Sequence, residues 1–214
     1  MKYPIISAIA FSLALTACTT NPFTGELQPS KTIIGASTGA VVGAVIGAAT
    51  TGSRKAALIG AGIGALAGGG IGAYMDNQES KLRERLANTG VSVNRVGDSI
   101  VLNMPSNITF DSNKAELKPQ FYTTLNSVAL VFQEYKQTLI DVIGHTDSTG
   151  SSSENYDLSR RRAAAVAQYL SSQHLDPNRF SVEGRGDKDP IASNATISGK
   201  AQNRRVEITI APLT

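Results

Sequence analysis

The sequence predicts an α/β fold: a two-layer sandwich with helices on one side of a mixed sheet, preceded by a glycine-striped helical hairpin. Three observations carry this expectation. After residue 90, strand-like runs alternate with helix-length amphipathic patterns, the order that places helices over a sheet. The last run, "RVEITI", alternates Val206, Ile208 and Ile210 with Glu207 and Thr209, so one face of its strand is buried. Upstream, two apolar stretches carry glycines four residues apart, Gly35, Gly39, Gly43 and Gly47 in the first and Gly60, Gly64, Gly68 and Gly72 in the second.

At the N-terminus, Lys2 precedes the apolar run "PIISAIAFSLAL", which has the length of a secretory signal core and is too short to span a bilayer. The run leads into "LTAC", and Cys18 is the only cysteine of the chain, so an internal disulfide is excluded. Taken alone it is a single thiol in an exported protein. "LTAC" resembles a bacterial lipobox. The resemblance implies removal of residues 1–17, lipidation of Cys18 and an anchored chain whose residues 18–32 act as a tether. Thr19 stands where an Asp would favour retention in the inner membrane, which points to the outer membrane.

Residues 33–75 contain the two glycine ladders, each in a stretch about as long as a bilayer-spanning helix, with Arg54 and Lys55 between them. On a helix, residues four apart lie above one another, so each ladder forms a smooth strip open to close backbone approach. In water each such glycine costs a helix about 1 kcal/mol relative to alanine, so the segments need lipid or a partner. A flexible Gly/Ala spacer has the same composition. The sustained period and the lack of charge within each stretch favour a hairpin packed glycine to glycine, which resembles the glycine-zipper segments of envelope lipoproteins. The same stripes offer a surface for homo-oligomers. Residues 76–90, rich in charge and ending at Gly90, read as a short solvated linker helix or as a disordered linker.

Residues 91–214 form the folded domain. "VSVNR" and "SIVLNM" read as strands joined by a tight turn. Pro119 suits a first helical turn, and Leu117, Phe121, Leu125, Val128 and Phe132 recur at helical spacing. A strand follows at 139–143, a second helix at about 153–173, a strand around 180–183 and the final strand. At about 100° per residue, Leu158, Ala165, Val166 and Tyr169 share one side of the second helix, with Arg162 in its middle and Asn155 two turns earlier. A guanidinium on an apolar face requires an anion. Asp147, in "GHTDSTG" at the end of the preceding strand, supplies a carboxylate nearby. The two could form a salt bridge, or stand apart so that Asp147 accepts from an ammonium while Arg162 grips a carboxylate with its planar fork, selecting a zwitterion.

"ITFDSNKAELKP", "GHTDSTG", "NYDLSRRRA" and "NRRVEI" together resemble the OmpA-like peptidoglycan-associating domain over residues 91–211. With the lipobox and glycine ladders, the chain is similar to OmpA-family lipoproteins. The resemblance implies that Asp147 and Arg162 hold the diaminopimelate of a stem peptide, with Phe110, Asp111, Asn155, Leu158, Asn203 and Arg204 in support. It implies peptidoglycan and membrane lipid as partners and a periplasmic C-terminal domain.

An enzyme is the rival class. His145 and Asp147 lie two apart, but the only other histidine is His174, and no nucleophile-elbow or zincin motif occurs. No catalytic residue, metal site or cofactor is expected, and His145 reads as structural. The count of 20 Lys+Arg against 17 Asp+Glu leaves +3, too mild to point to a nucleic-acid partner. A further alternative keeps the wall-binding domain as an anchor and makes the glycine hairpin an oligomeric pore or stator-like part, which liposome conductance would reveal.

Overall fold

The computed structural model describes residues 18–20, 27–29, 54–66 and 70–214. The signal run, the first glycine ladder and Gly68 lie outside the described residues. Strands β1 (Cys18–Thr20) and β2 (Leu27–Pro29) pair antiparallel. The main body follows in the order α1 (Arg54–Gly60), α2 (Gly70–Leu86), β3 (Ser92–Val96), β4 (Ser99–Pro105), α3 (Ser106–Thr109), α4 (Tyr122–Glu134), β5 (Thr138–His145), α5 (Ser152–Ser172), β6 (Phe180–Gly186), α6 (Ile197–Asn203) and β7 (Arg205–Pro212).

The sheet has the order β3-β4-β7-β5-β6, antiparallel except for the β5/β6 pair, and is therefore mixed. Register aligns one apolar layer: Ile100 and Ile140 flank Ile210, Leu102 and Val142 flank Ile208, and Met104 and Gly144 flank Val206. All of these apolar side chains are fully buried, against Leu125, Val128 and Phe132 of α4 and Val166 and Leu170 of α5. Their neighbours on the other face, such as Val101, Asp141, Ile143 and Glu207, are half-buried. The two-layer sandwich follows from this period of two.

The charged segment differs from the expected solvated linker. It belongs to α2, which begins at Gly70 and buries Met75, Gln78, Leu82 and Leu86. Steps of three and four bring these residues to one stripe, and Tyr74 meets Tyr135 edge-on at 5.1 Å. Lys81 pairs with Glu134 of α4 on the outside. The helix ends before Asn88 and Gly90, both at positive φ. A chain starting at residue 91 is therefore expected to expose part of this core. Each buried Leu or Met contributes roughly 1.5–3 kcal/mol, so the thermal midpoint should fall by on the order of 10 °C relative to a chain starting at residue 70. Equal midpoints in a thermal melt would contradict the packing described.

The described part of the second glycine stretch also differs from a single hairpin arm. Helix α1 stops in a Schellman motif, with Ile63 N–H donating to the Leu58 carbonyl at 3.0 Å and Gly62 N–H to Ile59 at 3.1 Å. Gly62 takes φ +88°, which glycine alone adopts freely, and Ile63 packs back on Leu58. Gly60 thus lies in α1, Gly64 in the turn and Gly72 in α2. Arg54, expected at a hairpin turn, pairs with Asp141 at 2.5 Å on the otherwise open sheet face, while Leu58 joins Leu139 and Leu213 there. Among the described residues, no helix is long and apolar enough to cross a membrane.

Candidate functional site

Helix α5 is seated by glycines. A Cβ on Gly144 would lie 2.0 Å from the Ser159 carbonyl oxygen, and one on Gly184 would lie 2.6 Å from the Arg160 nitrogen. The helix therefore rests on bare strand backbone through Ser159, Ala163, Val166, Ala167 and Leu170. The buried face is thus rotated from the one expected: Leu158, Ala165 and Tyr169 are half-buried at its margin, and Arg162 flanks the sheet contact. The start of α5 is fixed by a capping box in which Ser151 and Glu154 satisfy each other's backbone N–H groups.

The strand end is redirected by an irregularity in the β5/β6 register at Gly144/His145. Thr146 N–H then donates to the Gly186 carbonyl at 2.9 Å, and Asp147 opens a loop that its own Oδ1 closes by accepting from Thr149 N–H at 2.8 Å. Asn155 Nδ2 donates to the Thr149 carbonyl at 3.0 Å, tying this loop to α5. On the other side, α3 ends at Phe110, and the following loop offers the Lys114 carbonyl to Arg162 Nε at 2.9 Å.

These elements enclose a cavity of about 600 Å³. Phe110, Asp111, Asp147, Asn155, Leu158, Arg162 and Arg204 all line it. Asn203 does not. It is fully buried beneath, accepting from the Ile191 and Ala192 N–H groups and donating to Asn194 Oδ1, which in turn accepts from Ser148 N–H. Asn203 therefore holds the loop next to Asp147 and is a positioning residue.

Arg162 is 3% exposed. Its guanidinium lies 5.2 Å from the Phe110 ring centre and donates through Nε, and among the described residues no carboxylate oxygen comes within 4.0 Å of it. The salt bridge with Asp147 that the sequence left open does not form. Asp147 is instead bonded at 2.5 Å by Arg204, fifty-seven residues away in sequence, whose side chain is 40% exposed. Burial pushes the Asp147 carboxyl up, but the hydrogen bonds from Arg204 and Thr149 outweigh it and hold it below its ordinary value. Burial lowers Arg162, Arg204 lowers it further and Asp147 partly offsets them. Arginine remains charged under such shifts.

A second buried arginine supplies the contrast. Arg179 is 2% exposed, yet it donates to the carbonyls of Thr138, Phe132 and Tyr135 and to Thr138 Oγ1, all within 2.8 Å. Burial brings its pKa down to about 10. Its donors are consumed in joining the end of α4 to the start of β5, whereas Arg162 spends one. Sequence reasoning did not find Arg179; "DPNRF" signals only the capped turn that begins at Pro177. It also missed Lys200, which lines the cavity and donates to Thr149 Oγ1 at 3.2 Å, because α6 has no apolar period to betray it.

His145 is buried, and neither ring nitrogen has a hydrogen-bond partner. Burial, helped by Arg205 and only partly offset by Glu207, lowers its pKa from 6.5 to about 4. As pH falls, the unfolded chain protonates this residue first, so stability is complete above about 6.5 and declines toward about 4. The decline should amount to on the order of 2–3 kcal/mol. Denaturant unfolding of the His145→Asn variant should lose this slope between those pH values; an unchanged slope would contradict the assignment.

The cavity thus joins a buried cation, Arg162, and a carboxylate, Asp147, on an α/β module, and His145 is not part of its lining. The chain's residues 109–204 match the OmpA family, and residues 1–76 match the YMGG-like Gly-zipper. It is 53% identical over 214 residues to the probable lipoprotein YiaD of Escherichia coli strain K12, covering 99% of this chain and 98% of that one. It is 41% identical over 103 residues to the peptidoglycan-binding protein ArfA of Mycobacterium tuberculosis, 48% of this chain and 32% of that one. Among solved structures, the cell wall anchor of the type VI secretion system of Pseudomonas aeruginosa superposes with a TM-score of 0.57 at 33% identity, covering 61% of this chain and 96% of the other. The chain belongs to the OmpA-family lipoproteins of the cell envelope, which are not enzymes.

Proposed function

We propose that this protein is an outer-membrane lipoprotein that binds peptidoglycan non-covalently through the diaminopimelate of the stem peptide and so ties the membrane to the wall. The observation that carries this reading is Arg162: a buried guanidinium with one backbone partner among the described residues, its two amino groups left to a cavity that Asp147 also lines. The free end of diaminopimelate is a zwitterion. Its carboxylate fits the fork of Arg162, and its ammonium fits Asp147. Arg204 stands where that ammonium would come, and its half-exposed side chain can withdraw from Asp147 or share it. Phe110 and Leu158 cover the methylene chain, while Asn155 and Asn203 hold the walls. Relatives described as a peptidoglycan-binding protein and a cell wall anchor support the wall-binding part of this reading.

In the working protein, residues 1–17 are removed, Cys18 carries lipid, 18–32 is the tether, and the glycine-zipper segment that begins at 33 runs into the periplasmic binding body, to which residues 54–60 and the helix 70–86 already belong together with 91–214. The ligand assignment is tested by calorimetric titration of the full-length chain in detergent with two stem peptides differing only in diaminopimelate or lysine, which lacks the gripped carboxylate. The diaminopimelate peptide should bind about thirtyfold or more tightly than its lysine counterpart, and Asp147→Ala should weaken both. Equal binding of the two peptides would exclude the carboxylate grip.

A further inference from the structure

We propose that a groove leading from the Arg162 cavity along α5 to the pair Tyr122 and Tyr169 is a second subsite, which takes sugar rings of the glycan strand. This inference rests on the reading that the cavity takes the stem peptide. The groove is continuous: Asp111, Asn113 and Lys118 line both the cavity and an adjoining depression, and Glu116, Leu117 and Arg161 line both that depression and the space beyond it, of about 600 Å³. At its far end the rings of Tyr122 and Tyr169 lie 4.7 Å apart, tilted by 49°. Tyr169 is anchored by donating to Asn126 Oδ1 at 2.7 Å, and Tyr122 is 37% exposed.

A pyranose ring presents C–H bonds on its faces and hydroxyl or amide groups around its edge. A fixed aromatic wall, a floor kept low by Ala164 and Ala165, and a polar rim that includes Gln168 match that pattern. Glu116 and Arg161 carry opposite charges on this rim, so the groove has no strong sign and suits a neutral polymer rather than a charged one. The reach agrees as well. Seven residues of helix separate Arg162 from Tyr169, about 10 Å. In the stem, two residues and a lactyl link separate the diamino acid from the sugar, and the two residues alone span about 7 Å when extended.

The test uses the full-length chain in detergent and three probes: the disaccharide-tripeptide, the tripeptide alone and peptide-free glycan chains. The wild type should bind the disaccharide-tripeptide about tenfold more tightly than the tripeptide, and bind the bare glycan weakly but measurably. The double variant Tyr122→Ala/Tyr169→Ala, or Ala164→Gln, which fills the floor from an exposed helix position, should lose that tenfold and keep the wild-type affinity for the tripeptide. Equal affinity of the wild type for the two peptide ligands, or an undiminished difference in both variants, would overturn the subsite and leave the cavity assignment standing. Failure of the wild type to bind the tripeptide would overturn the cavity assignment, and the subsite with it.

Discussion

Arg162→Met is expected to abolish binding to the cell wall while leaving the domain as stable as the wild type or more so. The two effects have one cause. Within the protein the guanidinium is desolvated, with one carbonyl and the face of Phe110 as its compensation among the described residues. A buried charge in that condition costs folding free energy, and an apolar side chain of similar length recovers packing without the desolvation. For the ligand the balance is reversed, because its carboxylate would lose the one buried cation of the cavity lining. Truncating one partner of a buried charge pair costs about 2–5 kcal/mol of binding, which corresponds to roughly thirtyfold to several thousandfold. Arg179→Met should behave in the opposite way, since it orphans the carbonyls that Arg179 joins and sits away from the cavity: destabilised, with wall binding retained while folded. Arg162→Met that binds with unchanged affinity, or that unfolds like Arg179→Met, would show that Arg162 is a structural residue.

Gly144→Ala should produce a large loss of stability. The added carbon would meet the Ser159 carbonyl oxygen at 2.0 Å, and both partners are backbone, so no side chain can rotate away. Overpacking of this kind costs about 3 kcal/mol or more, on the order of 10 °C in the midpoint of a domain this size. Because the same contact sets the height of α5 above the sheet, the variant should also misplace Asn155 and Arg162 and weaken ligand binding even where it remains folded. Gly72 provides the control: a Cβ there meets nothing within 4 Å in the middle of a helical turn, so Gly72→Ala should stabilise by up to about 1 kcal/mol. If Gly144→Ala melts at the wild-type temperature, α5 is not seated on the strand as described.

The contrast between these residues indicates what the sequence makes legible. Alternation of Val206, Ile208 and Ile210 announces a one-sided sheet because the pleat has a period of two, and the helical spacing of Leu125, Val128 and Phe132 announces what covers it. Arg162 stands out for the same reason, as a charge out of place in a period. The docking of α2 was written in Met75, Gln78, Leu82 and Leu86, but a high charge density masked the stripe. Pairing of Asp147 with Arg204 was not legible: each lies in a loop or helix end with no period, and only the tertiary fold joins them. The glycines carry a similar ambiguity. A spacing of four describes a strip on a helix, yet it does not reveal that Gly62, off the ladder, adopts positive φ and ends α1. Nor does it reveal that Arg54 finds Asp141 across the sheet.

The central claim is that the cavity between Asp147 and Arg162 holds the wall. Its most direct test is co-sedimentation of the full-length protein, in detergent, with purified sacculi, in the presence and absence of free diaminopimelate and with Arg162→Met alongside. The wild type should pellet with the sacculi and be released by the competitor, and the variant should stay in the supernatant. Pelleting of the variant at the wild-type level, unaffected by diaminopimelate, would contradict the claim and move wall binding to another surface of the molecule.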